Sequence, residues 1–389
     1  MSSPIAPFFR SIEMTRTAEP RTVLVTGAAG FIGSHTCMEL LKAGHTVIGV
    51  DNFDNSSPRA LDALQRISGR SLDFVEGDVA DPAVLDRAFA VGHVNAVVHF
   101  AGLKSVSDSV RDPMRYYRVN VGSSISLIDA MVRHNVWRLV FSSSCTVYGE
   151  PDVVPITESS PLRSQNPYGR TKLLIEDMLR DVSAADPSWR VALLRYFNPA
   201  GAHPSGELGE DPTGTPTNLM PFVMQTAVGR RDLLGVFGGD YPTRDGTCVR
   251  DYIHVVDLAE GHLAALDSLD VTGPGCNAYN LGTGTGTTVL EMLAAAQRAV
   301  GHPIPHEIVG RRAGDAVSVF ADPSVAAQAL AWKAARTLDD MCSDHWRWQS
   351  RHPLGFGRDA ADKGFAHAAR DERSADDKLT DRGGALRQG

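Results

Sequence analysis

The chain has 389 residues, 43% hydrophobic and 22% charged, which excludes a wholly disordered or collagen-like polymer and allows one large α/β domain or two modest ones. Its 38 Lys and Arg against 46 Asp and Glu leave a net charge of −8 and no basic stripe to neutralise a phosphodiester backbone, so no nucleic-acid partner is expected. No run approaches the about eighteen apolar residues of a spanning helix, and no basic region followed by an apolar core opens the chain, so a cytoplasmic protein with no membrane partner is expected.

Residues 1–20 carry Ser, Pro and Thr without periodicity and are expected to be a disordered leader, with Met14 as an alternative start. Beyond them, short Val/Ile/Leu/Phe runs at 22–27, 46–51, 72–78, 96–101, 138–144 and 191–197 alternate with segments of helical length near 31–43, 82–91, 114–134 and 168–182. Runs apolar on both faces are the pattern of buried parallel strands, and alternation with helices gives right-handed βα crossovers. The fold class is therefore α/β: a doubly wound parallel sheet of the Rossmann type over 21–198. From about residue 199 Pro and Gly become dense and the rhythm breaks, so 199–355 is expected to form mainly a smaller C-terminal substrate-binding lobe, with some return to the first domain. Residues 356–389 are rich in charge, Ala and Gly and are expected to be a disordered tail. The five cysteines, Cys37, Cys145, Cys248, Cys276 and Cys342, are scattered without a CxxC, so neither a disulfide frame nor a metal site is expected.

Gly27-Ala-Ala-Gly30-Phe-Ile-Gly33 closes the first strand and opens a helix. In that context the glycines serve a tight turn, a close backbone approach to a pyrophosphate and close helix-strand packing, with the helix N-terminus facing the anion. Asp51 ends the second strand, where a carboxylate accepts from adenosine ribose hydroxyls and repels a 2′-phosphate, which favours NAD over NADP. Asp78 and Phe100-Ala101-Gly102 end later strands at the same edge, as candidates to line adenine and the nicotinamide ribose.

Tyr168-Gly-Arg-Thr-Lys172 sets a phenol and an ammonium at i and i+4, on one face of a helix that begins just after Pro167. A free tyrosine is a poor base at neutral pH, and a neighbouring cation, helped by an oxidised nicotinamide, is expected to lower its pKa. Ser144, closing the strand Leu139-Val-Phe-Ser-Ser-Ser, is placed across the same cleft to share a hydrogen bond with the reacting hydroxyl. Tyr148 has no lysine four residues on and is assigned to packing.

With Gly27, Gly30, Gly33, Ser144, Tyr168 and Lys172 in this order, the chain resembles the extended short-chain dehydrogenase/reductases. The strings HFAGLKSV at 99–106, FSSSCTVYG at 141–149, LRYFNPAGAHPSGELGEDP at 194–212, NLMPF at 218–222, VRDYIHVVDLA at 249–259 and YNLGTGTG at 279–286 narrow this to the UDP-glucose 4-epimerase family, from about Thr22 to Gly355. The resemblance implies an NAD-dependent isomerase acting on UDP-glucose and UDP-galactose in galactose metabolism, by oxidation at C4, rotation of the 4-ketose and reduction from its other face. Tyr168, Lys172 and Ser144 would be catalytic. Phe31, Ile32, Asn52, Val79, Lys104 and Phe197 would join the cofactor contacts. For the substrate, the resemblance points to Asn198 near sugar or phosphate, Asn218 and Leu219 near the nucleotide, Phe237 by the uracil, Arg250 and Arg312 on the diphosphate, and Asp315 on the ribose. The arginine roles also make chemical sense, since planar guanidinium forks match phosphate oxygens.

The resemblance has departures. Val119 stands where the family often has a second Asn before Asn120, and Cys248 stands where Gly is usual. Val319 stands where a bulkier Tyr crowds the sugar 2-position in some members, so UDP-N-acetylglucosamine and UDP-N-acetylgalactosamine are expected as further substrates. In this family two helices pair across a twofold axis, and Leu127, Met131, Leu174 and Met178 are the apolar residues expected to make a homodimer. A related 4,6-dehydratase would carry an Asp-Glu pair after the serine strand end, where this chain has Ser144-Cys145-Thr146. A non-catalytic NAD sensor would lack the Tyr/Lys pair.

Overall fold

The computed structural model describes residues 19–312 and 314–357. The six expected strands form as β1 (Thr22–Thr26), β2 (Thr46–Asp51), β3 (Asp73–Glu76), β4 (Ala96–His99), β5 (Arg138–Ser144) and β6 (Arg190–Tyr196). Later in the chain come β7 (Asn198–Ala200), β8 (Leu234–Phe237), β9 (Val249–His254), β10 (Gly275–Leu281), β11 (Gly286–Thr288), β12 (His306–Val309) and β13 (Ser318–Val319). The main sheet is parallel, in the order β10-β6-β5-β4-β1-β2-β3, with β10 from the later part of the chain paired to β6 at one edge. Because all of these strands run the same way, their carboxyl ends share one edge, where such sheets bind ligands.

Helices cover both faces. The four expected helical segments appear as α1 (Phe31–Lys42), α3 (Pro82–Ala90), a composite run to α6, and α7 (Pro167–Ala185), with an additional α2 (Arg59–Ser68) between β2 and β3. The composite consists of α4 (Val106–Arg111), α5 (Pro113–Tyr116), a π turn at Tyr117–Val121 and α6 (Gly122–Arg133). The π turn carries Asn120, whose amide group bonds both backbone groups of Leu103 and the Thr171 hydroxyl, tying the loop after β4 to α7. One apolar layer packs α1 and α2 on the sheet with α9 (Val255–Ser268), and the other packs α3, α6 and α7. The second lobe has its own core, built from α8 (Leu219–Ala227), α10 (Val289–Val300) and α12 (Leu338–Arg351) around β7, β8 and β9.

Two expectations are corrected here. Leu127 and Met131 are fully buried in the layer against the sheet and Met178 packs on it, so they belong to the chain's own core. Of the four, Leu174 stays exposed, as do Ile125 and Val132 on α6. Phe356, expected in the tail, packs its ring on Trp348 at 4.7 Å, and its amide donates to Asp211 at 2.9 Å. The rest of the expected tail from residue 358, and the expected leader up to residue 18, lie outside the described residues. Among the described residues no helix is long and apolar enough to cross a membrane.

Candidate active site

A cleft of about 1020 Å³ runs along the carboxyl edge of the sheet, between it and the second lobe. Its floor follows from the strand ends. The chain turns at Gly27 (φ +69°), where a Cβ would stand 2.9 Å from the Ala101 nitrogen, and a Cβ on Gly33 would stand 2.0 Å from the Gly27 carbonyl oxygen. Those two positions need glycine for packing. Gly30 differs: a Cβ there meets only the Gly27 oxygen, at 3.3 Å, so its open side is the cleft. Gly30 is also the N-cap of α1, with no side chain capping the first turn and no acidic residue in it, leaving free amides and a positive helix end for an anion.

Asp51 is held at the end of β2. Its Oδ2 accepts from the Ala29 amide at 3.0 Å, and its Oδ1 accepts from the Phe53 amide at 2.9 Å and the Ser56 hydroxyl at 2.7 Å. A carboxylate offers about four acceptor positions, so these contacts orient it and leave room for a ribose hydroxyl. Asn52, Asp78, Val79, Phe100, Ala101 and Gly102 line the same half of the cleft, with Phe31 and Ile32 at its base. These residues fit a dinucleotide: an open glycine, an uncapped helix end and an oriented carboxylate all line one cleft.

Ser144, Tyr168 and Lys172 all line the cleft. Asn166 caps α7 through its Oδ1 to the Gly169 amide at 2.9 Å, and Pro167 follows at N1, which fixes where the helix starts and turns Tyr168 and Lys172 toward β5. Lys172 is 5% exposed, donates to the Ser142 carbonyl at 2.7 Å and stands 4.9 Å from the centre of the Phe141 ring. Burial lowers its pKa from 10.5 to about 8. Burial also pushes the Tyr168 phenol up to about 12, against a lowering hydrogen bond with Ser144. The expected acidification by Lys172 is thus not seen in the protein alone: the ammonium is turned to a carbonyl and a ring, and desolvation of the phenolate wins.

The other half of the cleft belongs to the second lobe. Arg250 donates to the carbonyls of Val249 and Ala316 at 2.9 and 2.8 Å and lies 3.7 Å from Asp315. Arg312 bonds the same carboxylate at 2.7 and 3.2 Å and covers the exposed ring of Phe237 at 5.5 Å. Two guanidinium groups thereby converge beside one carboxylate at a solvent-open end. Lys104 comes from the loop after β4, and its ammonium meets Glu210 of the second lobe at 2.8 Å, which also accepts from Asn218 at 3.1 Å. Phe197 and Val319 close the floor in a small apolar cluster with Val147, Tyr148 and Ile156, and Asn198 lines the wall. Leu219 is the exception among the expected residues: its side chain packs on the second-lobe core and does not line the cleft.

Several lining residues were not expected. Glu210 sits in the GELGEDP string, where its pairing with Lys104 spans 106 residues and leaves no local signal. Ser56 and Asn55 follow Asp51 in a polar loop. Tyr148, assigned to packing, does not line the cleft and is buried beneath it, but makes polar contacts: its hydroxyl donates to Asn280 at 2.7 Å and accepts from Arg195 at 3.0 Å.

The model of the NAD dependent epimerase/dehydratase family matches residues 23–282, two-thirds of the chain, from β1 to just past β10. The chain belongs to that family. Among its relatives, the UDP-glucose 4-epimerase of Bacillus subtilis is 54% identical over 86% of this chain and 98% of its own length. That of Dictyostelium discoideum is 53% identical over 86% of this chain and 97% of its own. A crystal structure of UDP-glucose 4-epimerase from Bifidobacterium longum, in complex with NAD+ and UDP, superposes with a TM-score of 0.83 at 52% identity, covering 86% of this chain and 99% of that one. As an epimerase/dehydratase family member, the chain places its Tyr/Lys pair and its serine strand end in one buried constellation.

Proposed function

We propose that this chain is an NAD-dependent UDP-glucose 4-epimerase, interconverting UDP-glucose and UDP-galactose. The observation that supports the reading is that Ser144, Tyr168 and Lys172 line the same cleft as the glycine turn and Asp51 on one side and Arg250 and Arg312 on the other. The glycine turn, Asp51, Lys104 and Lys172 would hold the cofactor, and Arg250, Arg312, Asn218, Phe237 and Asp315 would hold the uridine diphosphate. When bound, NAD supplies the hydride acceptor and later donor at C4, together with a positive charge that favours a phenolate.

Tyr168 accepts the proton of the sugar 4-hydroxyl as that carbon is oxidised, and returns it when the carbon is reduced from the opposite face. Ser144 shares its hydrogen bond with Tyr168 and relays the proton. Lys172, whose ammonium is held by the Ser142 carbonyl, would turn to the nicotinamide ribose when the cofactor is bound and bring its charge toward the phenol. Binding energy concentrated on the diphosphate leaves the ketose free to turn about its link, so inversion follows without net redox change. Incubating the purified protein with UDP-galactose, without added NAD, tests this. UDP-glucose is expected to form with no lasting absorbance from reduced nicotinamide, and its absence from protein shown to hold NAD overturns the reading.

A second reading concerns the sugar. Val319 is a small side chain on the cleft floor, which leaves space beside the sugar 2-position for an acetamido group. UDP-N-acetylglucosamine and UDP-N-acetylgalactosamine are then also interconverted, at rates comparable with the plain sugars. Val319→Tyr should remove that activity and spare UDP-galactose, and inactivity of the wild type on the acetylated sugars ends this reading. The enzyme would act in the cytoplasm as a homodimer, with Ile125, Val132 and Leu174 as the exposed apolar side chains a second copy would cover. Sedimentation at micromolar concentration that gives a monomer removes the dimer.

A further inference from the structure

Behind the reacting groups lies a buried polar cluster that the mechanism above does not use. Arg195 on β6 and Glu176 on α7 are 2% and 0% exposed. The Arg195 Nε donates to Glu176 Oε1 at 2.9 Å and its Nη2 to Oε2 at 2.6 Å, a two-point fork. Glu176 also accepts from the Ser143 hydroxyl at 2.5 Å and from Arg180 at 2.6 Å. The remaining Arg195 nitrogen donates to the Tyr148 hydroxyl at 3.0 Å and the Glu158 carbonyl at 3.3 Å, and Tyr148 passes the chain of bonds to Asn280 on β10.

The cost of this arrangement is what makes it informative. Removing two charges from water carries a desolvation penalty that their attraction often only matches, and an apolar replacement of similar volume is commonly as stable. Stability alone therefore does not account for the pair, whereas geometry does. Glu176 lies four residues after Lys172 and eight after Tyr168, on the same face of α7. Ser143 is the neighbour of Ser144, and Ser142, whose carbonyl holds Lys172, is the next residue back along β5.

We infer that Glu176 and Arg195 are positioning residues for the proton transfer: their fork, with Ser143, fixes the helix that carries Tyr168 and Lys172 against the strand end that carries Ser144. This rests on the epimerase reading for its kinetic test. The guanidinium fork sets both distance and rotation about the helix axis, which a point charge does not. Tyr148, two bonds from the phenol's helix, extends the same brace to the loop after β5.

The test uses the NAD-loaded protein and the variants Glu176→Gln, Arg195→Lys and Ser143→Ala, with rates expressed per bound cofactor. Misplacement by about 1 Å costs a reaction on the order of 100-fold. Glu176→Gln is thus expected to lower kcat about 10- to 100-fold with KM within about twofold. Arg195→Lys keeps the charge and is expected to fail to restore kcat, and Ser143→Ala should move kcat the same way by less. A crystal structure of Glu176→Gln with NAD should show the Tyr168 hydroxyl displaced from Ser144 by more than about 0.5 Å. Unchanged kcat in these variants with a lowered melting temperature, or an unmoved Tyr168, overturns the inference. If Glu176→Gln does not fold, Ser143→Ala decides on both measurements. If the wild type is inert on UDP-galactose, the substrate reading falls, and the Tyr168 to Ser144 separation still decides the positioning role.

Discussion

Burial sets the resting state of both members of the Tyr/Lys pair, in opposite senses. Tyr168 is neutral in the protein alone because its phenolate would be desolvated, while Lys172, lowered to about 8, sits close to losing its proton. Tyr168→Phe removes the proton acceptor and nothing else of comparable size, so kcat should fall by about 10²- to 10⁴-fold with the bound NAD retained, as absorbance and product formation would report. Lys172 also leaves a signature in stability. Between about 8 and 10.5 the unfolded chain still binds a proton that the folded chain has released, so this group's contribution rises as pH climbs through that window. The rise is on the order of 3 kcal/mol. Denaturant unfolding across that window should therefore show a wild-type gain that Lys172→Met lacks, and equal slopes would contradict the assignment. The roles proposed for Tyr168, Lys172 and Ser144 were legible in sequence, because a short helix spacing and a strand end suffice to bring them together. The sign of the phenol's shift was not, since it depends on how many neighbours exclude water and on where one ammonium turns.

Among the elements, the glycine turn separates packing from binding most cleanly. A Cβ at Gly33 collides with backbone at 2.0 Å, and one at Gly30 meets a single oxygen at 3.3 Å. Gly33→Ala should lower the melting temperature by several degrees as well as weaken NAD binding, whereas Gly30→Ala should fold with nearly wild-type stability and lose cofactor affinity. Thermal melts and NAD titration of both variants check this, and equal stability losses would contradict it. β1 to β6 could be read from the sequence because strands buried on both faces are apolar throughout. α2 was overlooked, although Ser57-Pro58 precedes it and Ala60, Ala63 and Leu64 repeat at helical spacing. The second lobe was legible only as an irregular body. Its strands are two to six residues long and pair across wide sequence gaps, as Ser318 does with Val249, so local periodicity carries little of its order. The π turn that aims Asn120 was read as ordinary helix, because nothing in composition distinguishes one extra residue per turn.

At the scale of the whole molecule, neutral histidines join the layers. His99 accepts or donates to Thr26 at 2.7 Å and Ser124 at 3.0 Å between β1, β4 and α6, while His262 lies under Phe100 and Tyr196. Burial lowers His35 and His99 to about 3, and His203, His262 and His345 to about 4. Below pH 6.5 the unfolded chain takes up protons that the folded chain refuses, so stability is present above that value and lost as pH falls toward 4. Melting temperature should drop steeply from pH 6.5 to 5, before most carboxylates titrate, and a flat profile there would contradict the burial of these rings as neutral groups. The two-lobed body gives the cleft one wall from the main sheet and one from the second lobe, and in the proposed reading these hold a dinucleotide and a sugar nucleotide. In the proposed reaction the hydrogen that leaves C4 returns to C4. UDP-galactose carrying deuterium at C4, converted by the NAD-loaded protein in ordinary water, should give UDP-glucose that keeps the deuterium at C4. Deuterium lost to solvent, or found at another carbon, would contradict it.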